Sequence, residues 1–549
     1  MGASDYGDDD DETSGPSWAP AIRGPVEEGI ALLKTGEFGG IKPLLEREKL
    51  MKAGRPPPTL SQRLRERNMN RPGPVRREDI SRSLVPNTHG TIVAKYTSNP
   101  YSGQYSADSS LYYTCVQDFK LHIYDTSAPP IEPTNTVDSH RNGGDHYTSM
   151  KTLNTIQAVR GGWTITDSHL SPDNDRMVYA HMSTSVFLTR TRDGANEQTE
   201  LSLADQAPRS GGVWGYRPAD QFRIYSCRFS ADGKEIVAGG TGNLFVYDLQ
   251  GMRRTVRIVA HDDDVNSCCW ADSSSGNVLI SASDDTFLKV WDRRSLGVHT
   301  KPAGVLVGHT EGITYVSPKG DGRYVVSNGK DQTMRLWDLR KMTSHSDWEN
   351  LPSHHYGLGR NWDYRQGVYR TPRYDAHPNN CSVMAYRGHQ VLKTLIRCHF
   401  SPEETTGGSY LYTGSSDGRI HIYSLDGQIV QVIDRSKSLP ISFDPSESEP
   451  NMEDRAGPRQ RRHYGIFHRP GVVRDVSWHS REPVLMSVAW GAYGDDRGDV
   501  AKHEWKDLGK RGMKLEDVVA RDAQKGDDHS CATLGGTRNG SIPGGFPQH

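Results

Sequence analysis

The sequence lacks the features that would place a protein in a membrane or in an oxidising compartment. No apolar run approaches the length of a membrane-spanning helix, and the acidic start MGASDYGDDDDE lacks the basic and apolar regions of a secretory signal. The seven cysteines are odd in number and are not spaced in pairs, as zinc ligands would be. We therefore expect free thiols, no membrane contact, and a location in the nucleus and cytoplasm.

A strong excess of one charge is also missing. Lysine and arginine number 66 against 68 aspartate and glutamate residues, which leaves a formal net charge of −2. Such a balanced chain does not attract nucleic acid by bulk charge, so nucleic acid is an unlikely main partner. The basic run 55–77 has arginines without interleaved aromatic residues, which favours a flexible linker. A nuclear import signal or a partner contact in this run stays open.

Catalytic motifs are absent from the sequence as well. It contains no phosphate-binding loop of the GxxxxGK[ST] type, no HExxH helix and no CxxC pair. Residues 414–418 match G-x-S-x-G, but they fall in a predicted hairpin turn and not between a strand and a helix. The sequence thus indicates neither an enzyme nor a cofactor or metal site.

Repeats dominate the central part of the chain. Three strong units span 260–292, 308–338 and 388–424, and weaker copies span 103–126, 163–191, 225–249 and 471–505. Each strong unit has a histidine, an alternating strand, a polar turn, a second strand, a tight aspartate turn and a third strand. The period of two residues and the turn residues predict antiparallel strands and an all-β domain.

The strong units also share polar residues at fixed spacing. An aspartate lies four residues after a serine or threonine, and an aromatic residue follows six later. The sets are His261, Ser281, Asp285 and Trp291; His309, Ser327, Asp331 and Trp337; and His389, Thr413, Asp417 and Tyr423. This pattern resembles WD repeats, the four-stranded blades of β-propellers. The resemblance implies a seven-bladed propeller over 89–507, in which these residues form a structural hydrogen-bond network and do not take part in catalysis.

The resemblance to WD repeats also predicts how the ring of blades closes. A WD propeller closes by adding an N-terminal strand to its last blade, which hides an edge that would otherwise invite aggregation. The alternating stretch 90–97, GTIVAKYT, is therefore predicted to be the outer strand of that blade.

Other segments fall outside the repeat pattern. Residues 1–88 form an acidic and then Arg/Pro-rich extension, and 508–549 form a polar tail; both are predicted to be largely disordered. The extension contains a possible amphipathic helix at 26–36, whose stripe of Val26, Ile30, Leu33 and also Leu32 is a candidate docking surface. Insertions interrupt the repeats at 343–386 and 434–467.

Two of the strong units end in a similar way, on WDRR at 291–294 and on WDLR at 337–340. Arg294 and Arg340 then enter the loops after the third strands, where two guanidinium groups could make forked bonds to one partner. Bonding to a neighbouring loop is the alternative. The two stretches resemble the boxes of cullin-four-associated WD-repeat proteins. The segments AHDDDVNSCCWAD, GHTEGITYVSPKGDGRYVVSNGKDQT, NWDYR, YRGHQVLKTLIRCHFSP and VRDVSWH are similar to the WD-repeat protein twenty-three group, including its plant members.

This resemblance implies a non-catalytic substrate receptor of a cullin–RING ubiquitin ligase. Its partners would be the ligase adaptor and, through it, the cullin and RING subunits, together with unknown protein substrates that are marked for proteasomal degradation. The implied adaptor-binding residues are Arg294, Arg340, Asp292, Asp338, Trp291 and Trp337. A ligase-independent scaffold in RNA processing or chromatin is the alternative. The stretched turn of the last repeat and the longer insertion at 428–467 depart from the group.

Overall fold

The structure, a computed structural model, describes thirteen stretches of the chain: residues 20–22, 24–39, 81–82, 84–131, 146–192, 197–204, 222–296, 300–358, 362–365, 368–374, 376–441, 471–491 and 497–506. The 508–549 tail, most of the 434–467 insertion and the 55–77 run lie outside these residues. Within them the strands form six antiparallel sheets, here named A to F. The predicted all-β class is confirmed.

Sheets A and B contain four strands each. Two early strands, β1 (Thr91–Tyr96) and β5 (His146–Thr148), lie in the last sheet, F. Sheet A consists of β2 (Pro100–Tyr105), β3 (Leu111–Val116), β4 (Lys120–Asp125) and β6 (Lys151–Gln157). Sheet B consists of β7 (Ile165–Leu170), β8 (Arg176–His181), β9 (Ser185–Arg190) and β10 (Thr199–Ser202).

Sheet C has six strands, and two of them are long. It consists of β11 (Ile224–Phe229), β12 (Glu235–Asp248), β13 (Arg253–Trp270), β14 (Val278–Ser283), β15 (Leu288–Asp292) and β16 (Gly304–Leu306). The first half of β12 pairs with β11 and its second half with β13, and the register shifts between Thr241 and Asn243. Strand β13 in turn pairs with β12 up to Asp264 and with β14 from Val265 onward.

The last three sheets complete the ring. Sheet D consists of β17 (Ile313–Pro318), β18 (Tyr324–Gly329), β19 (Met334–Asp338) and β20 (Met384–Tyr386). Sheet E consists of β21 (Cys398–Phe400), β22 (Tyr410–Gly414), β23 (Arg419–Ser424) and β24 (Ile429–Asp434). Sheet F consists of β25 (Val473–Trp478), β26 (Val484–Trp490) and β27 (Gly498–Glu504), followed by β1 and β5.

The sheets pack face to face around a common axis. The first strands contact one another in succession, from β2 through β7, β11, β13, β17 and β21 to β25, and β25 contacts β2 again. Apolar side chains fill the spaces between neighbouring sheets; Tyr124 of sheet A, for example, is buried with Val488 and Val500 of sheet F. A closed ring of antiparallel sheets with buried interfaces is a β-propeller.

Ring closure follows the prediction made for 90–97. Strand β1 pairs antiparallel with β27, with Thr91 opposite Lys502 and Tyr96 opposite Gly498. The short strand β5 then pairs with the other edge of β1. The prediction that 90–97 adds to the last sheet is therefore confirmed, with the difference that β5, and not β1, is the outermost strand; β1 covers the edge of β27.

The tight turns of the strong repeats have a shared backbone conformation. The residue after the turn aspartate adopts a left-handed conformation in each unit: Thr286 at φ 78°, Gln332 at φ 61° and Gly418 at φ 84°. Such turns suit the twist of antiparallel strands, which explains why the Asp-x pair recurs between the second and third strands.

In the described residues, three short α-helices accompany the sheets. They are α1 (Glu27–Thr35), α2 (His345–Glu349) and α3 (Glu403–Thr406). Helix α1 ends at Gly36, which is left-handed at φ 81° and redirects the chain towards sheets D and E. Helix α2 lies in the insertion between β19 and β20, so the predicted insertion 343–386 also contains the fourth strand of sheet D. No helix in the described stretches is both long and apolar enough to cross a membrane.

Candidate protein-interaction site

Two of the chain's Trp-Asp-x-Arg stretches, at 291–294 and 337–340, form matching loops at the ends of β15 and β19. In each loop the aspartate accepts a hydrogen bond from the backbone N–H of the arginine at 3.0 Å, which caps a 3₁₀ turn. The same carboxylates hold the guanidinium groups. Arg294 donates to Asp292 from Nε at 2.9 Å and Nη2 at 2.7 Å. Arg340 donates to Asp338 from Nε at 3.1 Å and Nη2 at 2.9 Å. Both arginines are therefore oriented in the free protein.

The two side chains are exposed despite these bonds. The exposed fraction is 68% for Arg294 and 65% for Arg340, as the partner-binding interpretation requires. The alternative, a bond to another loop, is found for Arg293 and not for Arg294. Arg293 makes a forked pair with Glu235 at 2.6 and 2.7 Å. A forked bond within the loop leaves guanidinium N–H groups of Arg294 and Arg340 available to other acceptors.

The tryptophans of the same stretches lie inside the propeller. Trp291 and Trp337 are buried, and their indole N–H groups donate to Ser281 and Ser327 at 2.9 and 2.8 Å. The predicted contact of these two side chains with an adaptor therefore needs correction, since they are covered by their own blades. Each tryptophan directly precedes the aspartate of its loop, Asp292 or Asp338.

The predicted hydrogen-bond network is present in the units at 260–292 and 308–338. His261 bonds Asp285 and Ser281, both at 2.7 Å. His309 bonds Asp331 at 3.0 Å and Ser327 at 2.7 Å. Burial would raise the pKa of Asp331, but His309 and then Arg335 outweigh burial and hold that pKa below its usual range. A buried aspartate in such a network fixes a blade and is not free to act as a base.

The unit at 388–424 departs from the predicted network. His389 bonds the hydroxyl of Tyr423 at 3.0 Å and the side chain of Asn328, from the neighbouring sheet, at 2.9 Å. Both ring nitrogens are thereby engaged, and the predicted bonds from His389 to Asp417 and Thr413 are wrong. The reason is the aromatic residue: a tyrosine hydroxyl reaches the histidine itself, whereas an indole N–H would reach the serine or threonine. Asp417 instead accepts from the N–H of Arg419.

Helix α1 lies against sheets D and E. Leu32 is buried in the apolar cluster between these sheets, and Val26 and Leu33 pack against that cluster. The prediction that this apolar stripe faces an adaptor is thus corrected for Val26 and Leu33, which face the propeller. Ile30 is half-buried. Contact of this helix with an adaptor stays a prediction.

The residues after α1 connect the helix to the Arg340 loop. Glu37 forms an ion pair with Arg323 and accepts from the hydroxyl of Tyr324 at 2.7 Å. Arg323 also donates to Asp338 from Nε at 3.2 Å and Nη2 at 3.1 Å. The exposed Arg340 and the N-terminal helix therefore lie on the same face of the propeller.

Sequence reasoning missed the anchor of this segment. Phe38 is fully buried, with its ring 4.7 Å from that of Tyr324, and its carbonyl accepts from Ser409 at 2.7 Å and Arg82 at 2.8 Å. The available signal was a phenylalanine two residues after the glycine that ends the helix. Nothing in the local sequence singles out Arg323.

The described residues contain no cluster of three or more histidine, cysteine, aspartate or glutamate side chains that could hold a metal ion. The fold and the paired loops define a WD-repeat β-propeller protein. In agreement, the family profile of the WD domain, G-beta repeat, matches residues 253–292 and 300–338.

Whole-chain comparisons narrow this class. The chain is 37% identical to the LEC14B protein of Lithospermum erythrorhizon over 435 residues, which cover 77% of this chain and 78% of the relative. It is 41% identical to the LEC14B homolog of Prunus armeniaca over 332 residues, which cover 60% of this chain and 61% of the relative. The chain belongs to the LEC14B family.

A nematode protein is a more distant relative. The chain is 32% identical to the DDB1- and CUL4-associated factor 11 homolog of Caenorhabditis elegans over 381 residues, which cover 68% of this chain and 57% of that protein. The chain therefore spans little more than half the length of this relative.

Proposed function

We propose that this protein is a non-catalytic substrate receptor of a cullin-four RING ubiquitin ligase. The nematode relatives carry the name DDB1- and CUL4-associated factor, which supports an adaptor of the DDB1 type and a CUL4 cullin as partners. The RING subunit would join through the cullin, and the substrates would be proteins destined for degradation. These comparisons do not favour a ligase-independent scaffold in RNA processing or chromatin.

The exposed pair Arg294 and Arg340 is the observation that carries this proposal. Both follow third strands, β15 and β19, whose repeats are neighbours in the ring, so the two loops open on one face. Each guanidinium is held by an aspartate, which lowers the entropy that is lost when a partner binds. Desolvated arginines at the centre of an interface are frequent contributors to binding energy.

The contribution to ubiquitin transfer is one of proximity. The face with Arg294, Arg340 and α1 would hold the adaptor, and other loops would hold the target near the ubiquitin-charged enzyme. Bringing two reactants together raises their effective concentration without any chemical group on the receptor. A receptor that works by proximity needs no catalytic side chain, which agrees with the structural hydrogen bonds of the repeat histidines and aspartates.

Two further statements belong to the proposal. We infer seven blades by dividing sheet C into two: β11, β12 and the first half of β13 would form one blade, and the second half of β13 with β14, β15 and β16 would form the next. In this division the continuous strand β12 takes the place of two strands of its blade. The register shift at Thr241 supports it, because the strong repeats have their turn aspartate at this position. We also propose that the protein acts in the nucleus and cytoplasm, which the free cysteines of the described residues support.

Affinity purification of the full chain from its native cells tests the proposal. The adaptor and the cullin should be recovered in near-stoichiometric amounts, together with the RING subunit. Recovery of a stable complex that contains neither the adaptor nor the cullin would support the scaffold and contradict the receptor.

A further inference from the structure

Five charged side chains meet where the first strands surround the propeller axis. We call them the channel charge cluster: Asp167 on β7, Arg228 on β11, Arg397 just before β21, and Arg474 and Asp475 on β25. All five are buried or nearly so. Their side chains are between 0% and 12% exposed where they form ion pairs, and Arg474 is 4% exposed.

Two of the arginines neutralise the two aspartates. Arg397 donates from Nη2 to Asp167 at 2.8 Å and from Nη1 to Asp475 at 3.3 Å, and thus bridges both carboxylates. Arg228 forms an ion pair with Asp167 and donates from Nη2 to the hydroxyl of Tyr315 at 2.9 Å. These bonds link residues that are distant in the sequence across the channel.

The carboxylates have little capacity for a third arginine. Asp167 also accepts from the hydroxyl of Ser226 at 2.9 Å and from the N–H of Cys227 at 3.1 Å. Asp475 also accepts from the N–H of Gly103 at 3.1 Å and the amide of Gln104 at 2.7 Å. A carboxylate with four or more donors around it is saturated.

Arg474 is the arginine left over. Its Nε donates to Thr394 at 3.0 Å and its guanidinium lies 4.8 Å from the ring centre of Tyr101, but its buried Nη1 has no hydrogen-bond partner among the residues that the structure describes. Burial, and then repulsion from Arg397, lower the pKa of Arg474 to about 10. The cluster thus holds three positive groups and two negative ones.

A small cavity lies beside this unmatched charge. Its volume is about 20 Å³, and it is lined by Arg474 and Arg397, by the paired carboxylate Asp167, and by Thr166, Tyr225, Asn266, Thr314, Tyr315 and Leu395. A space of this size admits one water molecule or one monatomic ion.

We propose that this cavity is a binding site for one monatomic halide, chloride in the cell, held against Arg474. The site is separate from the adaptor-binding face and is independent of the receptor function. A buried charge without a counterion is costly, and a small anion beside Nη1 would both neutralise the cluster and satisfy the free donor. Filling it would also tie β25 to the facing strands, so the anion would stabilise the ring.

Bromide diffraction tests the site on the unmodified full chain. Crystals soaked in sodium bromide, with anomalous data collected at the bromine edge, should show a peak in the cavity within hydrogen-bond distance of Arg474. Density for a water molecule with no anomalous signal at that position would overturn the proposal.

A thermal measurement in solution tests the role of the arginine. Replacing gluconate by chloride at equal ionic strength should raise the unfolding midpoint of the full chain by about 2 °C or more, in a saturating manner. Arg474→Gln should abolish this rise, whereas Arg190→Gln, at an exposed position on β9, should keep it. An equal rise in all three proteins would show a general salt effect and contradict the site. If Arg474→Gln does not fold, the bromide experiment decides alone.

Discussion

The guanidinium of Arg323 donates to the carboxylate of Asp338, from Nε at 3.2 Å and from Nη2 at 3.1 Å. That carboxylate is the one that orients Arg340, and the same guanidinium pairs with Glu37 behind helix α1. The N-terminal segment and the second box arginine are therefore parts of one charged assembly. A partner that binds Arg340 would meet the docked helix beside it.

Arg323→Gln should loosen helix α1 without unfolding the propeller. Arg323 is 21% and Glu37 38% exposed, and pairs of this kind contribute about 1 kcal/mol or less. Amide hydrogen exchange in 27–38 should therefore accelerate up to roughly fivefold. Lys34→Gln, on the exposed side of α1, is the matched control. Unchanged exchange in Arg323→Gln would mean that the ion pair does not hold the segment.

Phe38→Ala should release the segment much more strongly. Removing a fully buried phenyl ring typically costs about 3 kcal/mol or more, which corresponds to a roughly hundredfold change in the docking equilibrium. Exchange in 27–38 should then approach that of an unprotected chain, while the core strand β18 stays protected. Protection of α1 that survives this substitution would place the anchor elsewhere. Deleting residues 1–52 would also remove Phe38. Point substitutions therefore separate the docking of helix α1 from the stability of the propeller more cleanly than the deletion does.

The two turn aspartates at 331 and 417 should differ sharply. Asp331→Ala would remove the hydrogen-bond acceptor of His309 and the counterion of the buried Arg335, which lies 3.9 Å away, a change that costs about 3 to 5 kcal/mol. Asp417→Ala removes a half-buried acceptor and should cost about 1 kcal/mol or less. Urea denaturation of both variants measures the difference. Equal losses would show that the unit at 388–424 depends on its aspartate in the same way as the unit at 308–338.

Glu311 joins the 343–386 insertion to the propeller. Its carboxylate accepts from the N–H of Leu358 at 2.5 Å and lies 3.8 Å from His355. Burial raises the pKa of Glu311 to about 7. The N–H of Leu358 and the charge of Lys330 oppose this shift, and Asp331 and Asp284 add to it.

The raised pKa of Glu311 predicts a pH dependence of stability. The folded protein binds a proton that the unfolded chain releases near pH 4.5, so the contribution of Glu311 is complete below that pH and is lost as the pH rises through about 7. Glu311→Gln should flatten the stability profile over this interval and stabilise the protein at pH 8 by up to roughly 3 kcal/mol. Glu404→Gln, at an exposed carboxylate, is the control. A slope that persists in Glu311→Gln would assign the effect to other groups.

Local patterns predicted the parts of the fold that depend on neighbours in sequence. The alternation in 90–97 and the Asp-x turns specify strands and hairpins, because strand period and turn conformation are local properties. The His261 and His309 networks were predicted because their four members match the WD-repeat set at fixed spacing within one repeat.

Contacts between distant segments were not predictable in this way. His389 bonds Asn328 of another repeat, and Arg397 pairs with Asp167, 230 residues away. The amphipathic pattern predicted helix α1, but an apolar stripe does not say which surface covers it, and Val26 and Leu33 pack on the propeller itself. Such pairings are set by the closure of the ring, which brings weak and strong repeats together.

The affinity of the full chain for the purified ligase adaptor tests the central claim most directly. Arg294→Ala and Arg340→Ala should each weaken binding by roughly thirtyfold or more, and the double variant should fail to retain the adaptor. The matched control is Arg365→Ala, because Arg365 also pairs with an aspartate two residues earlier, with its Nε donating to both carboxylate oxygens of Asp363 at 3.0 and 3.2 Å, is 67% exposed, and lies in the 343–386 insertion. The account predicts wild-type affinity for Arg365→Ala and unchanged unfolding midpoints for all variants. A stable double variant that binds the adaptor as tightly as the wild type would contradict it.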